Sequence, residues 1–186
     1  MAQYKACCPM VIPILSETNT NTEYGSGEWV DRLMRVKVSP EYDTPTVYAD
    51  DGVGEQMHIF KNAGVELGTT TIPRSVEPII FGNTYDETKQ SISDKEDDTG
   101  SFCGFAFFVC ERIEGEDVYV VHFLKKVRFK MPADEFETKG ETISFKTPVL
   151  TATAYADKTG EWRERKLFET AADARHYIYD TLGGNG

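Results

Sequence analysis

The sequence predicts a mainly β protein: a β-sandwich or closed barrel with one short flanking helix and a C-terminal helix. Three observations predict it. Val118–Lys130 sets Tyr119, Val121, Phe123, Val127 and Phe129 at period two, with His122, Lys126 and Arg128 on the other face. Thr142–Val149 does the same with Ile143, Phe145, Thr147 and Val149 against Ser144 and Lys146. This is the pattern of antiparallel strands buried on one face and wet on the other. Ser101–Cys110 is nearly all apolar, with Phe102, Phe105, Phe107 and Phe108, and reads as a central strand buried on both faces.

In chain order, Ala6–Leu15 is apolar but short, and Pro9 and Pro13 interrupt it. A secretory signal needs a continuous apolar stretch and a small-residue cleavage site, so export by this segment is not expected. Ser16–Gly27 is rich in Thr, Asn and Gly and reads as a mobile arm or long loop. Trp29–Val38 carries Val30, Met34, Val36 and Val38 at even spacing, a strand pattern. Ser39–Thr46 holds two prolines and two acids and reads as a loop. Thr46–Ala49 is a short strand before the turn signal Asp50-Asp51-Gly52.

Gly64–Ile72 reads as a strand with Val65, Leu67, Thr69 and Thr71 on one side. Over Pro73–Phe81 the period changes. Pro73 suits a first helical turn, Val76, Ile79 and Ile80 fall on one helical face, and Gly82 suits the C-terminal cap. Pro78 makes this helix short or kinked, and its apolar stripe is expected to cover one opening or edge of the sheet. Asn83–Ser101 reads as a polar, acidic loop. Glu114-Gly115-Glu116 joins two strands as a hairpin, and Thr151–Ala156 with Trp162–Phe168 reads as a last hairpin around Asp157–Gly160. Thr170 and Asp173 form a capping signature for a helix that buries Ala171, Ala174 and Ile178 and stops at Gly183-Gly184. The expected core includes Phe105, Phe107, Val121, Phe123, Phe145 and Val149.

At 186 residues the chain fits one domain. A domain of this size hides roughly 70% of its unfolded surface. The formal net charge of -11 argues against electrostatic binding to nucleic acid, where affinity comes from Lys and Arg displacing counterions. The plain reading of that charge is solubility, and the sharper one is a surface that repels nucleic acid. The four cysteines, Cys7, Cys8, Cys103 and Cys110, make no CxxC pair and no zinc spacing. Cys103 and Cys110 fall on opposite faces of one strand and read as buried thiols, which implies a reducing compartment. No stretch is long and apolar enough to span a bilayer, so no membrane insertion is expected.

Few constellations carry chemistry. The acid run Asp94, Glu96, Asp97 and Asp98 fails the calcium-loop pattern, because Thr99 and Phe105 stand where Gly and Glu are needed. Gly52-Val53-Gly54 lacks the rest of a phosphate cradle. His58, His122 and His176 are isolated, and His122 falls on the expected wet face of its strand. Lys125, Lys126, Arg128 and Lys130 form the densest basic patch and are expected to meet an acidic surface of another copy of the chain. No paired acid and base stand out, so no enzyme, cofactor or metal is expected.

A family resemblance rests on ordered motifs. Tyr48-Ala49-Asp50-Asp51-Gly52 is followed by Gly64-Val65-Glu66-Leu67, then by Ile79-Ile80-Phe81-Gly82 before Thr84-Tyr85-Asp86. Later come Thr138–Pro148, Leu150–Ala154 and Gly160-Glu161-Trp162-Arg163. In this order the chain resembles the major tail protein, or tail tube protein, of long-tailed bacteriophages over roughly Thr46–Arg163.

The resemblance implies a structural subunit of the virion, made and assembled in the host cytoplasm. It implies a single tail-tube domain over residues 1–186, with an N-terminal arm of about residues 1–28 and long loops at 39–54 and 83–101. Copies are expected to form hexameric rings that stack into a tube, alongside a tape measure protein and tail terminator or tip proteins. DNA would pass through the lumen without specific binding. The candidate inter-subunit or lumen residues are Tyr48, Asp50, Asp51, Asp94, Glu96, Asp97, Asp98, Lys125, Lys126 and Arg128. No added immunoglobulin-like domain is expected. The alternative reading is a β-barrel binding module or a host-recognition tail component.

Overall fold

The structure is a computed structural model and describes residues 2–49, 52–133 and 147–184. Its centre is the hairpin of β10 (Cys103–Ile113) and β11 (Glu116–Lys130). Ile113 pairs with Glu116, which leaves Glu114 and Gly115 as a two-residue turn. Both have positive φ, 52° and 94°, the turn whose twist matches that of the flanking strands. Every residue from 103 to 111 is buried. Cys103, Phe105, Phe107 and Val109 enter one core, while Ala106 and Phe108 enter a second on the opposite face. A strand covered on both sides needs apolar residues at both parities, which is why Ser101–Cys110 lacks alternation.

The second neighbour of β10 is β1 (Ala2–Glu17), so the expected N-terminal arm is largely a strand inside the sheet. The correction has a local cause. Cys8 has φ 57° and the register shifts between Cys7 and Met10. That bulge hides the period-two signal, as do the two prolines. Past it, Val11 enters the first core while Met10 and Ile12 enter the second. Two short strands, β2 (Thr22–Tyr24) and β3 (Glu28–Trp29), pair back onto β1, so Ser16–Gly27 is tied down rather than free.

On the other side, β11 leads to β12 (Val149–Tyr155), β7 (Ile59–Thr69) and β4 (Leu33–Asp43). The sheet path among the described residues is β2-β1-β10-β11-β12-β7-β4. Its outer members β1 and β4 come together, and Ala6, Val36 and Val38 pack on the first core. β4 begins at Leu33, later than the Trp29–Val38 reading. A register shift between Leu33 and Arg35 turns Met34 outward. β4 also runs through Ser39 and Pro40 to Asp43, where the sequence suggested a loop. Pro40 is tolerated because β4 ends the sheet path and one of its edges needs no donor. The rest of the expected 39–54 loop is a separate hairpin of β5 (Thr46–Ala49) and β6 (Gly52–Gln56).

Strand β7 buries Val65, Leu67 and Thr69 as expected, but Thr71 lies beyond it and is exposed. The short helix α1 (Glu77–Phe81) follows, and Val76, Ile80 and Phe81 seal the first core. Pro78 sits in the helix's first turn and therefore does not kink it. Gly82 caps the helix at φ 80°, its N–H donating to the Pro78 carbonyl at 3.1 Å. A side chain there would meet the Thr99 carbonyl oxygen at 2.8 Å, so only glycine fits. The expected 83–101 loop contains a further hairpin, β8 (Thr84–Asp86) with β9 (Ser91–Ser93).

The last expected hairpin is replaced by a different arrangement. β12 and β13 (Arg163–Phe168) do not pair with each other. Both lie antiparallel to β11, β13 along residues 119–124 and β12 along 126–130. The 156–162 segment is an excursion between them, tied by Asp157, whose Oδ1 accepts from the backbone N–H groups of Thr159 (2.9 Å) and Glu161 (3.1 Å). Opposite it β11 bulges: Phe105 pairs with Leu124 and Cys103 with Val127, three steps against two. The extra residue switches faces, so Val121 and Phe123 belong to the second core and Val127 and Phe129 to the first.

Phe105, Phe107, Val121 and Phe123 are core residues as expected. Val149 is not: it is 55% exposed, and Leu150, Ala152 and Ala154 point inward instead. Phe145 lies outside the described residues. The second core is closed by α2 (Ala171–His176) and a π turn over Tyr177–Leu182, through Ala174 and Ile178. Thr170 Oγ1 accepts from the Asp173 N–H at 3.1 Å, the expected cap. The Gly27 N–H donates to the Gly183 carbonyl at 2.8 Å and ties the helix end to the β2–β3 connection.

Candidate functional site

The charged residues singled out from sequence do not gather into one surface. Tyr48 lies on β5, opposite Val53 of β6, and Asp50 and Asp51 lie outside the described residues. The acid run follows β9. Asp94 Oδ1 accepts from Asn83 Nδ2 at 3.3 Å, and Asp98 Oδ2 accepts from the Lys95 N–H at 2.7 Å, closing a local turn. Glu96 and Asp97 are exposed. Among the described residues, no group of three or more His, Cys, Asp or Glu side chains is placed to hold a metal ion.

The basic patch is knitted into its own chain. Lys125 pairs with Glu161, and Lys126 Nζ meets Glu17 Oε2 at 2.6 Å. These two lysine side chains are only 18% and 17% exposed, which leaves little of either for an acidic neighbour. Burial opposes ionisation of Glu17. The hydrogen bonds from Lys126 and the Lys158 N–H outweigh it and hold the carboxyl below its ordinary range. Lys126 and Arg128 also lie over the Phe102 ring, at 4.8 and 5.4 Å from its centroid. Arg128 and Lys130, the other two residues of the patch, stay exposed.

A concavity lies where β1 approaches β4. It is a cleft of about 390 Å³. Val36, Val38, Phe107 and Val109 give it an apolar wall, and Arg35, His122 and Arg163 give it nitrogen groups. His122 was expected on a wet face. Instead its ring stacks on Phe107, 5.1 Å between centroids and 5° from parallel, and its Nε2 is buried with no hydrogen-bond partner. The cause is register: Phe107 pairs with His122 on neighbouring strands, so the two rings share a face. Burial, with Arg163 and Arg165 nearby, pushes His122 down to about 4, while Glu111 acts weakly the other way.

Around the cleft the acids are engaged. Glu111 is buried and its Oε1 accepts from Gln3 Nε2 at 2.7 Å. Glu66 binds Arg35 at 3.0 Å and Lys37 at 3.6 Å. Arg163 lies over the Trp162 ring, 4.5 Å from its centroid. Burial and then Arg165 lower its affinity for its proton. Tyr4 Oη accepts from Cys110 Sγ at 3.0 Å. Cys7 is pushed up to about 11 by burial and by Cys8, and Cys103 to about 12 by burial, so both remain thiols at neutral pH. Arg163 and the unpartnered His122 Nε2 are nitrogen groups of this cleft that no carboxylate among the described residues binds.

The sequence reading missed Arg163, Arg35 and Gln3 because they come from three separate strands. The His122–Phe107 pairing was the available signal, once β10 and β11 are joined by a two-residue turn. No protein-family model matches the chain, and no curated protein matches it. No helix among the described residues is long and apolar enough to cross a membrane.

Proposed function

We propose that the chain is a wall subunit of a tail tube of the bacteriophage type. Copies associate into rings, hexameric on the family resemblance, and the rings stack into a tube inside the virion tail. On this reading the curled sheet is a barrel-like body, with β1 and β4 meeting at its seam. A tape measure protein would fill the tube during assembly, terminator or tip proteins would close its ends, and DNA would later pass through without specific binding.

One observation carries the reading beyond the resemblance. The β5–β6 strands pair only with each other among the described residues, standing apart from the main sheet. At the base of this hairpin Tyr42, Met57 and Ile59 are 51%, 58% and 50% exposed. Exposed apolar groups beside a separate hairpin suit surfaces that a neighbouring copy covers. The net charge of -11 fits a conduit, since carboxylates repel phosphates at short range. Negative-stain microscopy of the concentrated protein tests the proposal: rings or tubes support it, and a monomer at every concentration, also in phage lysate, contradicts it. The alternative, a binding module, is favoured by the β1–β4 cleft.

A further inference from the structure

We propose that the cleft between β1 and β4 is a binding site for a small oxyanion: a carboxylate or phosphate group held by Arg163 and His122. The strand register builds the site. Phe107, His122 and Arg165 occupy one row across β10, β11 and β13, and Arg163 lies two residues from Arg165 on the same face. Arg35 on β4 lines the same cleft.

The chain as a whole carries -11, yet basic groups gather here. Of the nearby acids, Glu66 is held by Arg35 and Lys37, while Glu111 accepts from the neutral Gln3 amide and keeps its charge. Asp117 lies on the far side, near Tyr4 and Arg112. Arg163 and Arg165 repel each other, and no carboxylate among the described residues pairs with either at salt-bridge distance. A partly desolvated guanidinium beside a second one is a poor arrangement for an empty groove and a good one for a bound anion.

His122 supplies the second argument. Its buried Nε2 has no partner, and buried polar atoms in folded proteins nearly always have one. An anion between His122 and Arg163 gives Nε2 an acceptor and favours protonation of the ring. The apolar wall of Val36, Val38 and Val109 leaves room for the ligand's body, and the volume lies within the range of small-molecule sites. The inference does not depend on whether the chain builds tubes.

The test is calorimetric titration of the full chain at pH 6 with sodium benzoate and, separately, inorganic phosphate, together with NMR titration of the His122 ring. Binding of either probe is expected, with the His122 midpoint rising by about one pH unit at saturation. Benzoate alone would mark the ligand as an apolar carboxylic acid, and phosphate alone as a phosphate. Arg163→Gln should weaken binding at least tenfold, while the distant Lys89→Gln leaves it unchanged. Should Arg163→Gln fold poorly, the His122 midpoint of the unaltered chain decides alone. No binding by either probe, an unmoved midpoint, or equal binding by a folded Arg163→Gln chain overturns the proposal.

Discussion

Phe123 and His122 are adjacent on β11 and show what single side chains contribute to this fold. Phe123 is buried in the second core and meets the Tyr24 ring edge-on at 5.2 Å. Phe123→Ala is expected to cost roughly 3–5 kcal/mol, against a whole-domain stability of about 5–15 kcal/mol. Urea denaturation checks this, and an unchanged midpoint would remove Phe123 from the core. His122 has a folded value of about 4 against an ordinary 6.5. Between those values the unfolded chain takes up a proton that the folded chain refuses. Stability is therefore fully present above about pH 6.5, falls as pH drops toward 4, and loses nothing more from this group below that. In His122→Phe, which keeps the stack on Phe107, the slope over that window should flatten. The acid-range loss from Glu17 and Asp157, both held low, should remain. An identical slope in both chains would contradict the burial of His122.

Strands were legible where alternation or continuous apolar sequence ran unbroken, as in β7, β10 and the first half of β11. Both helices were legible from their caps, Gly82 and Thr170. What escaped were the positions where one residue is added. The shifts at Cys7/Met10 and Leu33/Arg35 and the bulge before Val127 each turn the following side chains to the other face. Alternation read straight through such a point assigns the wrong face, as happened at Met34, and a bulge beside prolines hides the strand altogether, as in β1. The pairing of β12 and β13 with β11 rather than with each other depends on contacts far apart in sequence, which local patterns do not encode. Glycine contacts carry similar information. A Cβ on Gly100 would lie 2.3 Å from the Ile80 carbonyl oxygen, where α1 packs against the segment before β10. Gly100→Ala should destabilise by about 1–3 kcal/mol through this overpacking. A thermal melt equal to that of the unaltered chain would show that α1 can shift without cost.

Among the described residues, a nine-stranded antiparallel sheet carries an apolar core on each face of β10–β11, with α1 sealing one core and α2 the other, and two small hairpins lie outside it. The candidate site was less legible than the fold. Its residues come from β1, β4, β10, β11 and β13, and only the folded register brings them together. Two residues of the basic patch read from sequence form an internal brace, because Glu17 and Glu161, remote in sequence, reach Lys126 and Lys125, while Arg128 and Lys130 stay exposed. The tube proposal places its contacts instead at the β5–β6 hairpin and the apolar residues beside it. The Met57→Asp/Ile59→Asp double variant puts two charges on that exposed surface without touching either core. The decisive measurement is sedimentation velocity with negative-stain imaging of the unaltered and doubly substituted chains at matched high concentration. The account predicts rings or tubes for the unaltered chain and folded monomers for the variant. A monomeric unaltered chain, or assemblies that the two aspartates leave intact, would contradict it.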